Sequence, residues 1–260
     1  MDIATKLTQI AEKEAENIEL NNQFTDTLVG TGGEVKTFYD EFWDSYLNSM
    51  KGDFSGAFSG LGWNKTTFTP PRGTIIRPLS YTTHMFSRNG LSNIDLVELC
   101  EELDIVFDFS KTLTFIETFY LAGMVRVGVI DTRNANNLTS IFAGASNIKI
   151  VDKVIFKEDG SQTFGNNSFK FYYTNAGFEE IRFEGMVGNT TNKPLLDLQW
   201  HTRLSEDSVR SLVGVLSKDS AGTLTLSATA VNNAFTTEEW IELITDKSNT
   251  YNGKWTITLV

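Results

Sequence analysis

Between Met85 and Phe183 one hydrophobic pattern recurs four times. An aromatic residue is followed, five to seven positions on, by an apolar one, and then by two or more apolar residues at mainly alternate spacing. The copies are Phe86, Leu91, Ile94, Leu96; Phe119, Met124, Val127, Val129; Phe142, Ile148, Val154, Phe156; and Phe171, Phe178, Ile181, Phe183. In the third copy an extra Val151-Asp152 pushes the strand along. The intervals between lead aromatics are uneven, but all are of the size that marks repeat architectures, and the shortest falls in the range of leucine-rich repeats. The alternation in Val125-Val127-Val129 and Ile181-Phe183 predicts short strands, and Asp104 to Phe109 predicts another. Leu138 to Phe142 is expected to form the tight turn or short helix that carries the chain back. One such unit cannot bury its own face, whereas stacked copies share a continuous core.

The flanks follow other rhythms. Ile3, Leu7, Ile10 and Ile18 predict a helix over residues 2–22, and the stripe Val35, Phe38, Tyr39, Phe42, Trp43, Tyr46, Leu47 predicts a second over 34–48. Gly30, Gly32 and Gly33 lie between them. No Gly-Lys-Ser/Thr follows, so they read as a hinge rather than a phosphate loop. The glycine- and proline-rich stretch from Gly52 to Pro71 reads as an irregular connector. The C-terminal part predicts a helix capped by Ser205, a strand over Thr223–Ser227, a helix opened by the capping box Thr236 with Glu239, and a final strand over Lys254–Val260. The expected architecture is α/β: an N-terminal helical attachment or oligomerisation region with its connector over 1–70, and a leucine-rich-repeat-like solenoid of short strands and helices or turns over 71–260, closed by a helix–strand cap.

Composition narrows the chemistry. A net charge of −11 and a pI near 4.7 argue against nucleic acid as a partner, and against an anionic lipid surface. They suit a cationic or neutral partner such as a carbohydrate. Cys100 is the single cysteine, which excludes an internal disulfide framework and a multi-cysteine metal site. Its helical, apolar setting predicts a small buried hydrophobe. No secretory signal or membrane-spanning run is present, so synthesis and folding in a cytoplasm are expected.

No catalytic constellation emerges. His84 and His201, the only histidines, lack a nearby nucleophile elbow, and neither HExxH nor an EF-hand loop occurs. Asp104, Asp108, Asp131, Glu179, Glu180 and Glu184 lie near predicted strands, where a glycoside-cleaving pair would need two of them across a sugar. Solvated carboxylates are the expected reading of an acidic chain. Tyr172, Tyr173, Asn175, Trp200 and Arg203 are the residues to watch for sugar binding. No catalytic residue, cofactor-binding residue or metal ligand is assigned, and no cofactor is expected.

Seven stretches carry a resemblance. Leu138-Thr139-Ser140-Ile141-Phe142-Ala143-Gly144-Ala145-Ser146-Asn147-Ile148-Lys149-Ile150 and Phe171 through Phe183 look like BspA-type leucine-rich repeats of bacterial and phage proteins. Leu204 through Leu212, Thr223 through Leu226 and Trp255-Thr256-Ile257 are similar to the closing segment of such proteins from gut-bacterial phages and prophages. Lys6 through Glu12 and Tyr39 through Asp44 look like their opening. The resemblance implies a non-enzymatic virion protein, tail-associated or serving host adhesion, and carries over no catalytic residues. Its implied partners are other tail proteins through the N-terminal helices, copies of itself in a homo-oligomer, and a host surface glycan or protein, with neither nucleic acid nor membrane. Bacterial surface members would need an export signal, whereas virion proteins assemble in the cytosol, which favours the virion as its location. The alternatives are a carbohydrate-active enzyme acting on bacterial surface polysaccharide and a cytoplasmic interaction scaffold.

Overall fold

The computed structural model describes residues 38–164, 177–191 and 193–260. The expected helix over 2–22, the glycine hinge, the start of the second helix, and Phe171, Tyr172, Tyr173 and Asn175 lie outside the described residues. The chain divides into two compact units, Met1–Ser45 and Tyr46–Val260, so the boundary expected near residue 70 falls within the second. Helix α1 (Phe38–Ser49) carries the aromatic stripe. In the first unit Phe42 is 46% exposed, while its edge-on neighbour Trp43 is buried.

The second unit is a mixed α/β fold of short strands. In chain order it contains β1 (Ile75–Ile76), α2 (Leu96–Leu103), β2 (Val106–Phe107), β3 (Thr114–Ile116), β4 (Arg126–Asp131), β5 (Asn137–Thr139) and β6 (Ile150–Ile155). There follow β7 (Glu180–Glu184), β8 (Leu195–Leu198), α3 (Glu206–Val215), β9 (Thr223–Leu226), α4 (Ala228–Ala234), α5 (Thr237–Ile244) and β10 (Thr256–Leu259). The sheets are small and open: β1 with β2, β3 with β5, β6 between β4 and β7, and β9 between β8 and β10. Every pairing is parallel. Parallel neighbours need a crossover connection, so each added strand requires the chain to travel out and back.

Three of the lead aromatics, joined by Phe178 of the fourth copy, form a column through the core. Phe86 and Phe119 stack with ring centroids 5.3 Å apart, Phe119 and Phe142 at 5.5 Å, and Phe142 meets Phe178 edge-on at 5.1 Å. All four are fully buried. Phe58, from the supposed connector, extends the column at 5.5 Å from Phe86, and Phe54 and Phe68 are buried with it. At the other end His201 stacks on Phe178 at 4.7 Å, and its Nδ1 accepts the Phe178 backbone N–H at 2.9 Å. Gly177 makes room for that contact: a Cβ there would stand 2.5 Å from His201 Nδ1.

Two local expectations are corrected. Val129 is 49% exposed, whereas Val127 and Ile130 are buried, so β4 does not alternate throughout. The reason is register. Val151 pairs with Ile181 and Val154 with Phe183, so one extra residue of β6 is absorbed as an irregularity between Val151 and Val154. The extra residue foreseen at Val151-Asp152 is that one, and β4 follows β6 through Val127–Val151 and Ile130–Val154. The stretch Leu138 to Phe142 forms neither a bare turn nor a helix. Strand β5 pairs with β3 and runs into a turn that starts at Ser140, where φ is 52°.

Two caps were legible: Ser205 opens α3, and the Thr236–Glu239 box opens α5. At α2, which the sequence left uncapped, the Asp95 carboxylate accepts from the N–H groups of Val97 and Glu98. Trp255, fully buried, donates its indole N–H to Ser217 O at 2.8 Å and closes the C-terminal sheet region. Helix α4 and strand β8 were not foreseen. Seven residues rich in alanine and asparagine carry little helical period, and β8 is only four residues long.

Candidate functional site

Four of the core phenylalanines, Phe58, Phe86, Phe119 and Phe142, each sit at the centre of the same five-residue turn. The four copies are Gly56-Ala57-Phe58-Ser59-Gly60, His84-Met85-Phe86-Ser87-Arg88, Glu117-Thr118-Phe119-Tyr120-Leu121 and Ser140-Ile141-Phe142-Ala143-Gly144. The residues two before and two after the phenylalanine all have positive φ. Successive turns are bonded through their backbones. The N–H groups of Gly56, Phe58 and Gly60 donate to Thr83, Met85 and Ser87, those of His84, Phe86 and Arg88 to Ile116, Thr118 and Tyr120, and those of Glu117, Phe119 and Leu121 to Thr139, Ile141 and Ala143. The backbone polar groups of the turns are thereby satisfied while the rings stack behind them.

This geometry selects glycine, because an L residue in the left-handed region costs roughly 1–2 kcal/mol. The first turn complies at both positions and the fourth at one. The middle two do not: His84, Arg88, Glu117 and Leu121 have φ of 55°, 50°, 49° and 52°. Their side chains are displayed where the backbone alone would favour none.

Two of them, His84 and Arg88, help to build a polar, aromatic shelf around an open cavity of about 820 Å³, lined also by Asp53, Tyr81, Thr83 and Tyr120 among others. The Arg88 guanidinium lies 5.7 Å from the Tyr120 ring centroid, a cation–π distance, and His84 meets the same ring edge-on at 6.0 Å. His84 Nδ1 is 3.3 Å from Glu117 Oε2. Among the described residues no carboxylate lies within ion-pairing distance of Arg88. Tyr81 is 49% exposed, and its carbonyl accepts the Phe54 N–H at 2.9 Å.

Two other concavities differ in chemistry. One, of about 490 Å³, lies among β4, β6, β7 and the start of α3. There Arg126 forms a bidentate pair with Asp152 at 2.7 and 3.1 Å and reaches Asp95 at 3.5 Å, while Arg182 lies 3.7 Å from Asp207. Its guanidinium groups are already matched. The other, of about 460 Å³, is an apolar cleft lined by Val97, Cys100, Val106 and Val129. Burial, then the charges of Asp95 and Glu101, push the Cys100 thiol up to about 12, so it stays protonated and is no nucleophile. Cys100 is half-buried rather than fully enclosed.

The sequence candidates scatter. His84 is on the shelf and His201 is in the core, too differently placed to share a site. Asp108, Asp131, Glu179 and Glu184 each pair with a cation, respectively Arg77, Arg133, Arg203 and Lys153. Asp104 is the left-handed C-cap of α2, and Glu180 pairs through its backbone with Ile150. Trp200 is exposed, but Arg203 is held by Glu179 at 2.8 Å. Tyr81, Arg88 and Tyr120 were missed. The available signal was Gly56-Ala57-Phe58-Ser59-Gly60, whose paired glycines around a phenylalanine mark the turn that the other copies disguise. Among the described residues no helix is long and apolar enough to cross a membrane. Compared with protein-family models, curated proteins and solved structures, the chain matches none of them.

Proposed function

We propose that this chain is a non-enzymatic structural or adhesion protein of a phage virion, tail or tail-tip associated. Its second unit serves as a leucine-rich-repeat-like solenoid that presents a surface for a host receptor or partner protein. The observation that carries the reading is the ladder of turn-to-turn backbone bonds with one buried phenylalanine per turn. In a stack each copy buries its neighbour's ring, and the side chains around the turn stay free to vary for recognition. The resemblance of Leu138–Ile150 and of the C-terminal stretches to BspA-type phage proteins supplies the virion setting. Attachment and homo-oligomerisation belong, in this reading, to the helices expected before residue 49.

Density-banded particles from lysates of cells producing the chain, probed with an antibody to it, provide the test. Recovery of the protein in the particle band, at fixed stoichiometry to the tail proteins, is expected. Its confinement to the soluble fraction would overturn the reading.

A further inference from the structure

We propose that the shelf over the second and third turns binds a neutral saccharide. The proposal rests on the adhesion reading for its biological setting, but its chemistry stands on the shelf itself. A sugar ring offers C–H groups on its faces and hydroxyls, donors and acceptors both, around its rim. It therefore needs an aromatic surface, a donor fork and an acceptor on one rigid support. Tyr81 supplies the exposed ring. Its backbone is fixed on two sides, by the bond from Phe54 and by the parallel bridge to Thr114, so the ring is presented without an ordering cost in the main chain.

Arg88 supplies the donor fork. Its guanidinium is oriented over Tyr120 rather than consumed by a carboxylate. Asp53 supplies the acceptor: Oδ1 takes the Ser55 N–H at 2.9 Å, and Oδ2 takes no bond from a described residue. Thr83, Ser55 and Ser59 add hydroxyls along the same cavity.

Charge decides the class of sugar. The lining carries one cation without a carboxylate partner, Arg88, and one anion without a cationic partner, Asp53, and just outside it the Glu117 carboxylate lies 3.3 Å from His84 Nδ1. A chain of net charge −11 repels a polyanion at long range, and the shelf has no cationic cluster to overcome that. Openness speaks against a peptide ligand, since the shelf has no enclosed apolar pocket to hold an anchor side chain. The apolar cleft by Cys100 is elsewhere.

The placement of Arg88 is the second observation. The equivalent residue is glycine in the first and fourth turns, Gly60 and Gly144, and all three have positive φ. A side chain kept at a position that penalises it points to use of that side chain. This separates a binding role from a structural one. If Arg88 serves structure, Arg88→Gly lowers both stability and binding. If it serves binding, the same change relieves the backbone, raises the melting temperature, and weakens binding.

The experiment uses the full chain on arrayed neutral oligosaccharides of glucose, galactose, mannose and N-acetylhexosamines, with polyuronate as the acidic probe, followed by titration of the best ligand. The wild type is expected to bind at least one neutral oligosaccharide in preference to polyuronate. Arg88→Gly and Tyr81→Ala should each weaken that binding about tenfold or more, Arg88→Gly with a higher melting temperature, and Arg126→Met on the strand face should leave it unchanged. No binding to neutral sugars, preference for polyuronate, or equal losses from Arg88→Gly and Arg126→Met would overturn the proposal. Adsorption to cells that is abolished by protease treatment of the cells would assign the receptor to protein, which sinks the saccharide but leaves the adhesion reading intact.

Discussion

The strand face and the turn face of the second unit use charge in opposite ways. Across β4, β6 and β7, charged side chains meet partners close by: Arg126 reaches Asp95 at the cap of α2 and pairs with Asp152 on β6, and Lys153 pairs with Glu184 on β7. The last two are the cross-strand pairs that a parallel register brings together. Across the turns, Arg88 faces an aromatic ring, and side chains occupy left-handed positions at a cost to the backbone. The first arrangement gives stability and leaves little unsatisfied for a ligand. The second forfeits stability and leaves donors, acceptors and rings open to solvent. Concavity alone does not distinguish them, because both faces are hollow. What distinguishes them is whether the polar groups already have partners.

The largest expected effect comes from the layer both faces share. Phe119→Ala removes a fully buried ring between Phe86 and Phe142 and should cost about 3–5 kcal/mol in urea unfolding, disturbing the strand and turn faces together. Cooperative unfolding with an unchanged midpoint would mean the column is not the common core.

The two faces should then part in sign. Arg126→Met should destabilise by roughly 0.2–1 kcal/mol, since it strips two partly exposed carboxylates, Asp95 and Asp152, of their partner. His84→Gly should stabilise by roughly 0.5–1 kcal/mol, the relief of a left-handed side chain outweighing the entropy cost of glycine. Equal destabilisation by the two variants in thermal or urea melts would erase the contrast.

A smaller effect concerns acid. Hydrogen bonding from Ser110, then from Arg77 against the opposing effect of burial, lowers the Asp108 carboxyl to about 2. A depressed carboxyl contributes its stability above the ordinary value of 3.8 and loses it as pH falls from there towards about 2. The urea midpoints of wild type and Asp108→Asn should accordingly differ at pH 5 and converge by pH 2. A gap that stays constant across that range would show that the pair carries no proton-linked stability.

Much of the fold was legible because it is local. Capping by Ser205 and Thr236, the strand content of Thr223–Leu226, and the inward-facing Phe86, Phe119 and Phe142 follow from side-chain type and spacing along the chain. The failures are also physical. Val129 faces outward because the adjacent strand β6 absorbs a register irregularity between Val151 and Val154, and no pattern within β4 records it. Gly52 to Pro71 read as a connector because its glycines suggest irregularity, whereas Gly56 and Gly60 hold the left-handed positions of an ordered turn. The sites of interest were dispersed for the same reason. Carboxylates counted along the sequence became ion pairs, and Arg88 met Tyr120 only when consecutive turns aligned.

The sequence by itself determined the alternation of short strands with turns, the starts of α3 and α5, the aromatic core and the strong negative charge, because each depends on neighbouring residues or on composition. Tertiary structure alone decided which charges were neutralised, which aromatic rings stayed exposed, and that four dissimilar pentapeptides adopt one turn. Those properties depend on the register between segments far apart in the chain, where backbone hydrogen bonds, rather than side-chain pattern, set who meets whom.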